Sequence, residues 1–203
     1  KNFEVRLDAT SMNIKSANPL NFNLDFYKNS VLKSELNDFH TTFSLIANPG
    51  AKFSQYGVDR YSFTTLNPTF VLKFTHGFEN VLDGDFDYNK LQFLYSQPII
   101  LGNLGRTNVN LEAGKNFDTV PLALQNIIPG NQSYSLVSNT FALLKYYEFV
   151  ADAYTTLDVE HHFQGKILAF IPLIKKLKFR EVIFWRGAYG TLSDDSKNIN
   201  FEN

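Results

Sequence analysis

Residues 155–165 of this 203-residue chain read TTLDVEHHFQG, and they crowd Asp158, Glu160, His161 and His162 into five positions. The whole chain has four histidines, so half of them sit here. A metal site, a paired-carboxylate hydrolase and a polar network on a wall would each use these residue types. Backbone period separates the three. On a strand, successive side chains point to opposite faces. Asp158, Glu160 and His162 then share a face with Thr156, while His161 joins Leu157, Val159 and Phe163. A tetrahedral zinc site wants its ligands on one side, and adjacent strand histidines are divided. Glu160 with His162 makes at most half a site. Asp158 and Glu160 would stand about 6–7 Å apart along the strand, a spacing a glycosidase-type pair can use. A hydrolase built on Asp158, Glu160 and His162 is therefore one hypothesis. The preferred reading is a lumen-facing polar network of these three, with no catalytic residue, no metal and no cofactor. His40 and His76 are isolated and read as structural.

Other chemistries lack their residues. With no cysteine there are no disulfides, thiolate metal sites or thiol nucleophiles. No Gly-x-Ser-x-Gly elbow occurs, and no glycine-rich phosphate loop leads into Lys-Ser/Thr. A formal charge of -1 offers no basic surface for nucleic acid. The one basic run, Lys175, Lys176, Lys178 and Arg180, follows an apolar stretch. It reads as the charged rim of a turn, in preference to an amphipathic anchor on anionic headgroups.

The elements that must position these residues are strands. Twenty phenylalanines and ten tyrosines suit pleated faces. Alternation with period two puts Phe70, Leu72, Phe74 and His76 on one face, then Leu91, Phe93 and Tyr95, then Val109, Leu111 and Ala113. Short turns, one of them at Asp83-Gly84, join these runs into an antiparallel meander. Further strands are expected at 3–12, 21–27, 38–47, 56–65, 133–147, 154–163 and 179–191. Within 118–131, Val120, Leu124, Ile127 and Ile128 fall at helical spacing. Asp118 or Thr119 could cap a short helix, with Pro121 in its first turn. The competing reading is a hydrophobic plug. No repeat or linker splits the chain, so 1–203 is read as one domain.

No apolar run reaches the roughly 18 residues of a membrane helix, but a membrane barrel needs only short alternating strands. A soluble sandwich alternates too. Strand candidates of spanning length, a second face rich in Asn, Thr, Gln and Ser, and Tyr88, Tyr146, Tyr147, Tyr154 and Tyr189 near strand ends favour a barrel with an aromatic girdle. The alternative is a soluble β-sandwich module binding carbohydrate or another ligand.

The stretch YEFVADAYTTLDVEHHFQGKILAFIPLIKKLKFREV, 147–182, resembles a signature block of a bacterial outer-membrane β-barrel family. That family's function is not established, and it carries an N-terminal carboxypeptidase-like regulatory domain. EAGKNFDTVPLALQ with PGN, at 112–125 and 129–131, is similar to its preceding block. The residues carrying the resemblance are Tyr154, Glu160, His161, His162, Phe163, Pro172, Arg180 and Glu181, within about 105–193. The barrel is similar to the outer-membrane assembly and polypeptide-transport superfamily. WRGAYG, at 185–190, looks like that superfamily's Arg-Gly-Tyr lumen motif, but following KFREV it reads as a strand and the role is not carried over. The resemblance implies a bacterial outer-membrane location and a part in outer-membrane protein assembly or polypeptide or solute transport. It implies no enzyme activity. Its partners would be outer-membrane lipids and other outer-membrane or periplasmic proteins. The sequence shows neither the soluble domain nor a closing aromatic strand, so a piece of a longer barrel protein is expected.

Overall fold

The computed structural model describes residues 2–17, 24–56, 59–62, 66–131, 140, 141, 144, 145 and 147–193. In chain order the strands are β1 (Phe3–Lys15), β2 (Phe26–Lys28), β3 (Val31–Lys33), β4 (Glu35–Ala47), β5 (Phe53–Tyr56), β6 (Asp59–Ser62), β7 (Thr69–Gly77), β8 (Tyr88–Ile100), β9 (Arg106–Asn116), β10 (Asn126–Ile127), β11 (Val150–Ala151), β12 (Ala153–His162) and β13 (Val182–Thr191). One short helix, α1 (Pro172–Lys175), lies between the last two strands.

Seven of these make one sheet in the order β1-β4-β7-β8-β9-β12-β13. Every neighbour pair is antiparallel, so the expected all-β meander is the fold. Three two-stranded pairs, β2-β3, β5-β6 and β10-β11, lie outside this ladder. Among the described residues the sheet is open, with β1 and β13 as its edges. An odd number of alternating strands leaves both edges running the same way. Closing such a sheet through antiparallel ladders requires additional strands.

Register sorts the side chains. Leu7, Phe43, Phe74 and Leu91 stand side by side in one row, and Val5, Leu45, Leu72 and Phe93 in the next. This outer face is apolar and largely exposed. The inner face carries Asp38, Thr42, Thr75, Lys90, Gln92, Glu112, Asp158 and Arg186. The buried core is small. Phe26, Leu36, Tyr88, Val120 and Leu124 cluster on the inner face at one end of the sheet, where residues 117–131 pack on it.

Two expectations need correction. No helix forms over 118–128: the segment makes a single 3-10 turn at Leu122–Leu124 with no side-chain cap, then the two-residue strand β10 paired with β11. Asp118 is engaged elsewhere, accepting hydrogen bonds from the backbone N–H (2.7 Å) and side-chain amide (3.0 Å) of Asn89. The plug reading describes the segment, since Val120, Pro121 and Leu124 are buried against the sheet. The helix that does form, α1, starts where Pro172 occupies its first turn. The strand expected at 56–65 is the tight hairpin β5-β6, with 57, 58 and 63–65 outside the described residues. Much of the strands expected at 21–27 and 133–147 also lies outside them.

Candidate functional site

The hairpin β12-β13 and strand β9 together build the wall that holds the acid and histidine cluster. The ladder sets Asp158 between Asn110 and Arg186, and Glu160 between Asn108 and Phe184. Tyr154, Thr156, Asp158, Glu160 and His162 face inward together, as period two requires. They do not form a single network. Asp158 pairs with Arg186, Oδ2 to Nε at 2.6 Å, and both side chains are mostly buried. Glu160 and His162 hydrogen-bond each other on the same strand. Neither arrangement leaves two free carboxylates facing a substrate. No group of three His, Asp or Glu that could hold a metal occurs among the described residues.

His161 points outward. Its Nε2–H donates to the carbonyl of Leu104 at 2.9 Å, and Nδ1 and the Thr107 hydroxyl hydrogen-bond at 2.8 Å. Phe163 meets the same ring edge-on. Arg180 lines a shallow inner groove with Arg106, Asn108 and His162. Glu181 accepts hydrogen bonds from the backbone N–H of Gly165, at 2.7 Å, and of Leu168. His40 and His76 have side-chain partners: His40 bonds Asp38 at 2.7 Å and His76 bonds Asn89 at 3.0 Å.

Sequence reasoning missed the other half of the wall. Arg186 also donates to the backbone carbonyl of Thr140 at 2.8 Å, tying the overlying segment to β13. Lys90 donates to the Leu124 carbonyl at 3.0 Å. Tyr154 donates to Glu112 at 2.5 Å and accepts from Gln92 at 3.1 Å. Between this wall and the segment lies a cavity of about 510 Å3, lined by both polar groups and the apolar Leu94, Ile127, Pro129 and Phe141. One signal was available: folding 153–191 as a hairpin sets Arg186 opposite Asp158. Tyr88 and Tyr154 are not girdle residues, because both lie on the inner face; Tyr189 is exposed on the outer face and Tyr146 lies outside the described residues.

Outside the strands, Asp85 is a buried carboxylate held by two lysines and a backbone amide. It accepts from Lys33 Nζ at 2.5 Å, lies 3.4 Å from Lys28 Nζ, and accepts the backbone N–H of Asn37 at 2.9 Å. Burial pulls its pKa upward, but the Lys33 and Asn37 hydrogen bonds and the two lysine charges outweigh it. The carboxyl is held below its ordinary value.

The outer face pairs Lys15 with Glu35 at one corner, 3.8 Å apart, and is apolar over most of its area. Its apolar band also crosses the sheet obliquely. The row of Leu7, Phe43, Phe74 and Leu91 continues into Lys115, Ala153 and Thr191. Another row begins with Gln97 on β8 and becomes apolar at Val109, Val159 and Trp185.

These features define an all-β domain whose main sheet has one apolar, exposed face and one polar face, with residues 117–131 of its own chain packed on the polar face. Residues 2–194 match the C-terminal domain of a family of unknown function, DUF5686, and the chain belongs to that family. No curated protein and no solved structure matches it.

Proposed function

We propose that this domain is part of the wall of a bacterial outer-membrane β-barrel, with its outer face in lipid and its inner face on a lumen occupied by residues 117–131. The sidedness of the sheet carries the reading. Exposed apolar side chains run from Leu7, 74 % exposed, at one edge to Trp185, 58 % exposed, at the other. Contiguous exposed apolar area on that scale marks a partner or membrane surface. A sandwich would cover it with a second sheet, and none lies over it among the described residues. Strands β1, β4 and β8 each have 13 residues, beyond the roughly 9–11 a tilted membrane strand needs. The oblique band supports tilt as well, because barrel strands incline about 35–45° to the barrel axis.

The role that fits is structural. On the wall Asp158 pairs with Arg186, Glu160 with His162 and Glu112 with Tyr154, while Lys90 and Arg186 bond the overlying segment, which suits a lumen. The resemblance of 147–182 to an outer-membrane family, and of the barrel to the assembly and polypeptide-transport superfamily, favours a seam used in inserting or moving a polypeptide or solute. Outer-membrane lipids and other outer-membrane or periplasmic proteins are the partners this role needs.

Trp185 provides the test, being the single tryptophan and facing outward. In vesicles with bromine-labelled acyl chains its emission should shift to the blue and be quenched. A stable soluble monomer in plain buffer, with Trp185 open to an aqueous quencher, would remove the proposal.

A further inference from the structure

We propose that the β12-β13 connection, residues 163–181, is an interfacial lipid-binding loop whose apolar side chains enter a bilayer surface while its lysines bind the phosphates of anionic phospholipid headgroups. This rests on the barrel reading and adds the lipid class to it.

A solvated turn would display its lysines and hide its apolar residues. Here both are displayed. Phe170 is 87 % exposed and Leu173 83 %, and Ile167, Ile171, Leu177 and Phe179 are exposed as well. Lys166, Lys175, Lys176 and Lys178 are interleaved with them and also exposed. The loop is held together mainly by backbone hydrogen bonds, with Glu181 clasping Gly165 and Leu168 from its far end. Glu181 is the only acidic residue in 163–181, and that clasp occupies it. The lysine charge therefore has no counterpart within the loop, and an anionic surface supplies one. Lysine suits such a place because its stem lies along apolar surface while the ammonium stays at the polar boundary.

Position points the same way. His161 ties the root of the loop to the β8-β9 turn through the Leu104 carbonyl. Ile100, Leu101 and Leu104 in that turn are exposed apolar residues too. The loop and the turn form one apolar rim, continuous with the outer face at Ile183 and Trp185. In an aligned barrel this rim meets the headgroup zone, where apolar side chains and cations are both favoured.

The absence of cysteine makes Leu173→Cys the sole thiol, so an environment-sensitive dye placed there reports the loop alone. The labelled chain is inserted into phosphatidylcholine vesicles with and without phosphatidylglycerol, with bromolipid quenching of Trp185 read in the same samples. With phosphatidylglycerol the dye should shift to the blue and become shielded from an aqueous quencher. Added salt should reverse this, and so should the combined K166Q, K175Q, K176Q and K178Q variant, each lysine being worth about five-fold in surface binding. Trp185 quenching should stay unchanged throughout. A dye open to water beside a quenched Trp185 overturns the loop proposal and leaves the barrel standing. A dye equally shielded in the lysine variant overturns the headgroup assignment. An unquenched Trp185 overturns both proposals.

Discussion

Tyr154 is fixed by two hydrogen bonds and by a side chain its neighbour lacks. Its hydroxyl joins Glu112 and Gln92, and its ring lies over Gly114, the residue opposite it on β9. A Cβ built on Gly114 would come 2.4 Å from Tyr154 Cε1. Gly77 and Tyr88, opposite each other on β7 and β8, repeat the arrangement, with the Cβ at 2.2 Å. Gly114→Ala must therefore push the ring off its partners, at a cost of about 1–3 kcal/mol for overpacking. Tyr154→Phe keeps the ring and should cost only about 1 kcal/mol for the lost hydrogen bonds. Combining Gly114→Ala with Tyr154→Ala removes the clash, so the pair should cost less than the sum of the singles. Urea titration of the inserted protein measures all four. Strict additivity would mean that the ring does not need the glycine. These rings also show where sequence reading stopped. Nearness to strand ends suggested an aromatic girdle for Tyr88 and Tyr154. Their inward direction follows from the same alternation that placed Asp158 and Glu160, but the waiting glycine sits on another strand, and only register reveals it.

The hairpin β2-β3 is too short to stand alone, since even longer two-stranded hairpins are marginal in water. Phe26 anchors it in the core, and Lys28 and Lys33 clamp it to Asp85 in the β7-β8 connection. The Asp85 pKa is lower in the folded protein than its ordinary value. A depressed folded value contributes stability that is fully present above the unfolded pKa, near 4, and is lost as pH falls through the folded value. Amides of 26–33 should therefore lose hydrogen-exchange protection as pH drops below about 4. Asp85→Asn should lower that protection at neutral pH by about 1–3 kcal/mol, leaving the lysines without their anion, and should flatten the acid dependence. An unchanged acid profile in the variant would assign the effect to another carboxylate. Elements of this kind were the least legible. Long strands announce themselves through period two, and β4, β8, β9 and β12 lie close to where alternation puts them. The plug does not, because Val120, Leu124 and Ile128 match a helical stripe equally well. Its backbone groups instead bond to Lys90, Asn116 and β11, partners that no local pattern contains.

At the scale of the whole sheet, the slant of the apolar band separates a membrane wall from other uses of the same face. Phe74 and Thr191 share one row, and Gln97 and Val159 share another. If the strands stood upright across the apolar layer, row mates would lie at equal depth. Tilted strands bring Phe74 and Val159 towards the midplane and carry Thr191 and Gln97 towards opposite interfaces. Arginine on the lipid face of a barrel costs about 2–4 kcal/mol at the midplane and about 0–1 kcal/mol near the interfaces. Phe74→Arg and Val159→Arg should therefore both be strongly destabilising in vesicles, while Thr191→Arg and Gln97→Arg should be nearly neutral, despite the shared rows. Unfolding free energies in one lipid decide it. Four near-neutral substitutions would mean that the face meets water. Costs that followed the rows would mean upright strands, and then a flat protein partner would suit this surface better than a bilayer.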